Sequence, residues 1–354
     1  MLSRIAESLY WVGRYVERAE DTARILDVHL QSLLEGNVTD ERRASADLLD
    51  VMGVAVTDDE EAWASIVTDR LAFDPSTASS IIGSLTAARE NARGVREAIS
   101  SEMWECLNAT FNALTEQHEL VQTRGLHGFF GYVKERAAIM EGLTGSTMSR
   151  DDGYRFLVLG RSLERVDMTA RLLADRCRLL PDLADLADFA AADSSDWTIT
   201  LRSCSGHEAY LRKYRRGVEP LLVAEFLLLD RLFPRSIFNA LTEAERCLAQ
   251  LDPLDGRFGT PDEARRLLGR ARTGLEFARM DELLVDLGAR LERLQTMSSA
   301  ASDAIGEQYF RRTSATEWSN EIINALTAVG GPEVPALDVA VLTGTPMPLG
   351  REPA

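Results

Sequence analysis

The sequence predicts an all-α protein, a helical bundle built from two duplicated halves around a pseudo-twofold axis. Three observations carry this. Apolar residues recur at spacings of three and four through most of the chain, and no stretch alternates like a strand between turns. Helix caps and first-turn prolines punctuate that pattern. One charged phrase occurs twice, GRYVERAEDTARIL at 13–26 and GRSLERVDMTARLL at 160–173. Gly, Arg, Glu, Arg, Thr, Ala, Arg and Leu coincide, eight of the fourteen positions. A weaker echo links SIIGSLTAARENA at 80–92 with SIFNALTEAERCL at 236–248, an offset of 156 beside 147 for the first. Such self-similarity is the mark of an internal repeat, and it divides residues 1–310 into halves of about 1–149 and 150–310.

The first helix is the clearest. Ile5, Leu9, Val12, Val16, Ala19, Ala23, Leu26, Leu30 and Leu33 form one seam, closed by Gly36 and Asn37. Thr57 with Glu60 has the spacing of a capping box. Asp74-Pro75 reads as an N-cap followed by a first-turn proline. A helical run over 76–123 follows, broken near Gly94. RGLHGFFG at 124–131 reads as a glycine-rich connection, and 132–144 and 151–179 as helices. The acidic stretch 181–195 reads as a linker. Helices over 196–214, 218–230 and 235–251 come next. Thr260-Pro261 with Glu263 opens another, and 279–310 closes the bundle. Residues 311–354 are a C-terminal helix and a Gly/Pro-rich tail whose LDVAVL is suited at most to a sheet edge.

Composition narrows the function. The chain has 354 residues, 45% of them hydrophobic, and a formal net charge of −17. That acidity argues against duplex nucleic acid or an anionic membrane as partner. Arg4, Glu7 and Arg14 interrupt any apolar leader, and no run approaches a membrane span. Cys106, Cys177, Cys204 and Cys247 lack CxxC spacing and read as reduced thiols. A cytoplasmic protein is expected.

The repeated phrase supplies the candidate site: Arg14, Glu17, Arg18 and Arg24 in the first copy, Arg161, Glu164, Arg165 and Arg171 in the second. Arg14–Glu17, Arg161–Glu164 and Asp21–Arg24 stand at i,i+3, where helix neighbours pair. Gly13 and Gly160 let another helix approach beside the glutamates. Three readings are open: interhelical bridges between the copies, a pocket in which arginines hold a small anionic ligand, or a solvated face whose pairs are worth ~0.3–0.5 kcal/mol each.

These residues also carry a resemblance. MLSRIAESLYWVGRYVERAEDTARILDV, VREAISSEMWECLN, GYRFLVLGRSLERVDMTARLL, LRSCSGHEAYLRKYR and LFPRSIFNAL occur in that order and resemble the Alpha-E family, bacterial all-helical proteins with a Glu-Arg motif. The motif falls here on Glu17-Arg18 and, through the repeat, Glu164-Arg165. The resemblance implies companionship with circularly permuted ATP-grasp ligases and transglutaminase-like peptidases, and so peptide or amide metabolism. The expected function is a non-catalytic binding or scaffold partner of an ATP-grasp amide ligase, holding an anionic peptide or amino acid. The alternative is a helical enzyme of the same pathway with Glu17 or Glu164 as acid or base. A plain oligomerisation module is the third possibility.

Other chemistry is sparse. His29, His118, His127 and His207 form no HxxxH or ExxH pair, so neither metal nor cofactor is expected. Cys204 and His207 stand three apart, without a third orienting group. Gly125, Gly128 and Gly131 lack the Lys-Ser/Thr of a P-loop. Trp11, Trp104 and Asn108 are candidate pocket walls. Arg212, Lys213, Arg215 and Arg216 form a candidate docking patch.

Overall fold

A computed structural model describes residues 1–36, 40–55, 62–178, 193–253 and 262–310, and these contain thirteen α-helices and no strand. The capping box at Thr57, the linker over 181–192, Thr260-Pro261, Asn37 and the whole of 311–354 lie outside the described residues.

Helix α1 (Ser3–Leu34) buries its expected seam, with Leu9, Val12, Ala19, Ala23 and Leu26 essentially inaccessible. Each such leucine contributes roughly 2 kcal/mol by leaving water. Gly36, at φ 71°, takes the left-handed turn beyond the helix. Helix α2 (Glu41–Val51) is capped by Asp40, whose carboxylate accepts the Arg43 N–H at 3.1 Å. Helix α3 (Ala64–Thr68) runs on as a π turn over Asp69–Phe73.

Asp74-Pro75 does not open a helix. The Asp74 carboxylate is taken by the Ser76 N–H at 2.8 Å and the Thr77 hydroxyl at 2.7 Å, which folds 74–80 into turns. The cap is Ser80, whose hydroxyl oxygen accepts the Gly83 N–H at 2.9 Å and starts α4 (Ile81–Arg93). The expected break at Gly94 is present; Ser100 then caps α5 (Ser101–Thr147). The 124–131 connection is narrower than expected. Only Gly125, at φ 73° and ψ 167°, leaves helical geometry, so two helices meet at one residue.

The remaining helices are α6 (Asp152–Arg178), α7 (Ser194–Ser203), α8 (His207–Tyr214), α9 (Pro220–Leu229), α10 (Ile237–Leu251), α11 (Glu263–Glu276), α12 (Met280–Leu284) and α13 (Leu287–Ile305). The expected 196–214 helix is two, split where Ser205 adopts φ 55°. Asp262 caps α11 through the Arg265 N–H at 3.0 Å.

Two apolar clusters make the core. One joins the N-terminal third of α1 to α6, to the helices after it and to parts of α4 and α5; the other joins the middle of α1 to α2–α5 and to Met168 of α6. Helix α1 thus belongs to both, and residues 13–18, which begin the repeated phrase, lie between its two apolar stretches. They meet α6 where the helices touch. A Cβ on Gly13 would stand well inside 3.0 Å of the Leu157 carbonyl oxygen, and one on Gly160 equally close to that of Tyr10. The contact is reciprocal at the repeat's own offset of 147 positions (10 to 157, 13 to 160).

Candidate functional site

Close approach at the two glycines decides what the charged residues do. Helices in backbone contact stand near the lower end of packing distances, and the arginine side chains reach the other helix. Arg14 Nε donates to Glu164 Oε2 at 2.7 Å; Arg18 donates to Glu164 Oε1 at 2.6 Å and Oε2 at 3.0 Å. In the other direction Arg165 donates to both oxygens of Glu17, at 2.7 and 3.1 Å. Of the three open readings the contacts form the bridges between helices, and Arg14–Glu17 and Arg161–Glu164, though spaced i,i+3, are not paired within their helices. Glu17 and Glu164 are 3% and 1% exposed, so water does not screen these pairs.

The copies differ around this frame. Arg14 also reaches the Tyr10 hydroxyl and Ser302 of α13, whereas Arg161, its counterpart, pairs with Glu141 of α5 at 2.9 Å. Arg235, just before α10, inserts against Glu17 at 2.8 Å, Glu20 at 3.0 Å and Asp21. Asp21 accordingly pairs with Arg235, and Arg24 turns to Glu20 at 2.6 Å. Arg171 makes the equivalent i,i+4 contact with Asp167 at 3.1 Å. Arg24 and Arg171 thus lie beside the seam rather than across it. Sequence reasoning missed Arg235, Glu20, Asp21 and Glu141 as members of the cluster. Arg235 had a signal, since it stands inside LFPRSIFNAL; Glu141 had none, because only folding brings α5 to α6.

Electrostatics follow from these contacts. Burial opposes ionisation of Glu164, but Arg14 and Arg18 outweigh it and hold the carboxyl at about 2. Burial likewise opposes ionisation of Glu17, and Arg235 with Arg165 brings it below the ordinary range. Asp21 goes the other way. Burial, reinforced by Glu17 and Glu20, raises it to about 8 against the pull of Arg235. Glu17 and Glu20 each have a second arginine, Arg165 and Arg24, whereas Asp21 has Arg235 alone, and its Oδ2 is buried with no hydrogen-bond partner among the described residues.

A pH dependence follows, with opposite signs. Glu164, depressed when folded, contributes stability above about 4.5 that is lost as pH falls toward 2. Asp21, raised when folded, contributes stability that is complete below its ordinary 3.8 and is lost as pH rises toward 8. Asp21→Asn should therefore flatten the decline in stability between these limits, measured by urea unfolding at a series of pH values. An unchanged slope would show that Asp21 is ionised in the folded state.

Beside Glu17, Gly13 and Arg161 lies a cavity of only about 20 Å³, room for one water. That space admits no amino acid while the seam is closed. Trp11 does wall a larger groove, about 540 Å³, with Glu7, Tyr10, Ser302, Asp303 and Phe310. Trp104 is instead enclosed by guanidinia, Arg89 at 5.6 Å and Arg96 at 4.8 Å from the ring, and Asn108 accepts from Arg89 at 3.2 Å. Arg212, Lys213, Arg215 and Arg216 are all exposed at the end of α8; Lys213 pairs with Asp230 at 2.8 Å and Arg216 with Glu219 at 3.2 Å. The Cys204 thiol, buried and pushed up to about 12 mainly by that burial, is not a poised nucleophile. No three His, Cys, Asp or Glu side chains converge as metal ligands among the described residues, and no described helix is long and apolar enough to cross a membrane.

With this geometry in view, the comparisons are specific. The model of the Alpha-E family, a predicted alpha-helical domain with a conserved ER motif, matches residues 1–310, and the chain belongs to that family. Uncharacterized proteins of Mycobacterium bovis and of two strains of Mycobacterium tuberculosis are 26% identical over 302 residues. The match takes in 79% of this chain and 33% of each relative, so the chain spans about a third of their length. No solved structure matches it.

Proposed function

We propose that this Alpha-E chain is a non-catalytic helical scaffold that acts beside an ATP-grasp amide or peptide ligase. The observation that carries the reading is the closed seam. Both motif glutamates are buried and occupied by arginines of the other helix, which leaves neither free to abstract or deliver a proton. The acid–base alternative needs a cavity at Glu17 or Glu164, and the space at Glu17 takes one water. The partner class comes from the family resemblance. The greater length of the relatives agrees with a module that works next to other domains. Exposed Arg212 and Arg215 make the α8 end the docking face toward an acidic partner surface. An anionic peptide or amino acid, on this reading, is held at the contact with the ligase rather than inside the closed seam. Co-purification with an ATP-grasp ligase encoded beside it, and ligase turnover with and without this chain, test the proposal. A complex that raises turnover and is weakened by Arg212→Glu/Arg215→Glu supports it; absence of both complex and effect removes it.

We also infer that α1–α5 and α6–α13 descend from one duplicated unit with a pseudo-twofold axis through the glycine contact. Support comes from hydrogen bonds that recur at the second echo's offset of 156. Thr22 donates to the Ser79 carbonyl at 3.1 Å, as Thr169 does to that of Arg235 at 2.9 Å. Ser80 caps α4 as Ser236 caps α10. Asp74 accepts the Ser76 N–H, and Asp230 that of Leu232, both at 2.8 Å. Neither aspartate nor its turn belongs to the repeated phrase, so the agreement is independent of it.

A further inference from the structure

The basic end of α8 adjoins an apolar surface. The turn between α9 and α10 carries Leu232, 88% exposed, and the residue that follows α11, Phe277, is 78% exposed. Arg231 Nη2 donates to Glu276 Oε1 at 3.4 Å, so the two stretches that carry these side chains touch. Lys213 of α8 donates to Asp230 of the same turn at 2.8 Å, which ties the basic patch to it. A scattered exposed leucine is ordinary, but this one is held in place. Its N–H and that of Phe233 donate to Asp230 Oδ1 at 2.8 and 2.7 Å. Asn239 donates to the Arg231 carbonyl at 2.8 Å, and the Phe233 ring stacks on Phe226 with centroids 4.8 Å apart.

The turn over 74–80 shows what this geometry asks of the sequence. It makes the same bonds. Asp74 Oδ1 accepts the Ser76 N–H as Asp230 Oδ1 accepts that of Leu232. Ser80 donates to the Asp74 carbonyl as Ser236 does to that of Asp230, and each serine caps the helix that follows. At the place of Leu232 this turn has exposed Ser76, whose hydroxyl adds a bond to Asp74 Oδ1 at 2.6 Å. A polar residue thus serves the turn with one bond more than leucine does. Neither the turn nor the core accounts for a leucine left in water.

We propose that Leu232 and Phe277 are the apolar centre of the docking face whose basic side is Arg212 and Arg215, and that the ligase surface it fits is an apolar pocket edged with carboxylates. Charge selects this occupant. Arg212 and Arg215 are exposed and pair with no carboxylate among the described residues, in a chain of net charge −17. Two copies of this face would set cation against cation, so an acidic partner suits it and a second copy of the chain does not. A fixed side chain gives up little freedom on docking, so its burial is retained as affinity. The inference rests on the ligase reading and adds to it the residues that carry the affinity.

Isothermal titration of the full chain with the purified ATP-grasp ligase encoded beside it tests this, with thermal unfolding of each variant as the check on folding. Leu232→Ser carries the residue that the 74–80 turn already uses, so its unfolding should match the parent's. It should bind the ligase about tenfold more weakly or worse, and Phe277→Ser likewise. That loss should persist at high salt, whereas the loss from Arg212→Glu/Arg215→Glu should shrink as salt is added. Leu34, 89% exposed at the end of α1, is the control, and Leu34→Ser should bind as the parent does. Parent-like affinity of both Leu232→Ser and Phe277→Ser, in a complex that still forms, would overturn the apolar centre and leave the scaffold reading standing. No complex with the parent chain would remove the scaffold reading and this inference with it.

Discussion

Gly160→Ala should destabilise the fold by about 3 kcal/mol or more, the upper end of what overpacking does. The added Cβ meets the backbone carbonyl of Tyr10, not the flexible end of a side chain. Backbone inside a helix cannot step aside alone; α1 would have to lift from α6 along its length. That movement lengthens the bonds from Arg14 and Arg18 to Glu164, whose short reach depends on the same contact. Gly13→Ala should do the same from the other side, against Leu157. The contrast is Gly131, helical in α5 with nothing within 4 Å of its would-be Cβ. Gly131→Ala should stabilise by about 0.5–1 kcal/mol, since alanine loses less backbone entropy. Urea unfolding of the three variants reads all of this. A Gly160→Ala midpoint equal to the parent's would disprove the backbone contact.

The sequence reading reached this contact by way of composition and repetition. Two glycines retained beside two glutamates in matching helices point to close packing, and the structure places them against one another. Bridges between the copies are one reading the sequence offers, but it does not choose between them, a ligand pocket and a solvated face. An i,i+3 arginine and glutamate satisfy a helix in isolation; which helix each one serves depends on a crossing distance that no local pattern encodes. The same holds for Arg235, which is remote in sequence from Glu17, Glu20 and Asp21 and sits among all three. Local chemistry misled once in the opposite sense. Asp74-Pro75 has the residues of a helix start, but Ser76 and Thr77 compete for the same carboxylate and make a turn of it. Gly125 illustrates a third limit. Three glycines in seven residues suggest a loop, yet Gly128 and Gly131 are helical and a single positive φ makes the bend.

Glu164→Ala carries the second large effect, a loss of about 3–5 kcal/mol. It removes the one anion between Arg14 and Arg18, whose side chains are 10% and 18% exposed. Most of that loss measures two stranded cations rather than the worth of the bridge. A triple change separates the two quantities: Glu164→Met with Arg14→Met and Arg18→Leu takes away all three charges of this bridge and keeps most of the volume. Its stability should return to within about 1–2 kcal/mol of the parent, because apolar packing replaces buried ion pairs at small cost. Thermal and urea unfolding would establish this before any functional assay. The triple variant then becomes the useful reagent. If it folds and still raises the turnover of an ATP-grasp ligase, the Glu164 bridge holds α1 to α6 and nothing more. If it folds and the ligase no longer responds, the charges act on the partner or its ligand when the seam opens, and the buried pairs are the resting form of a site.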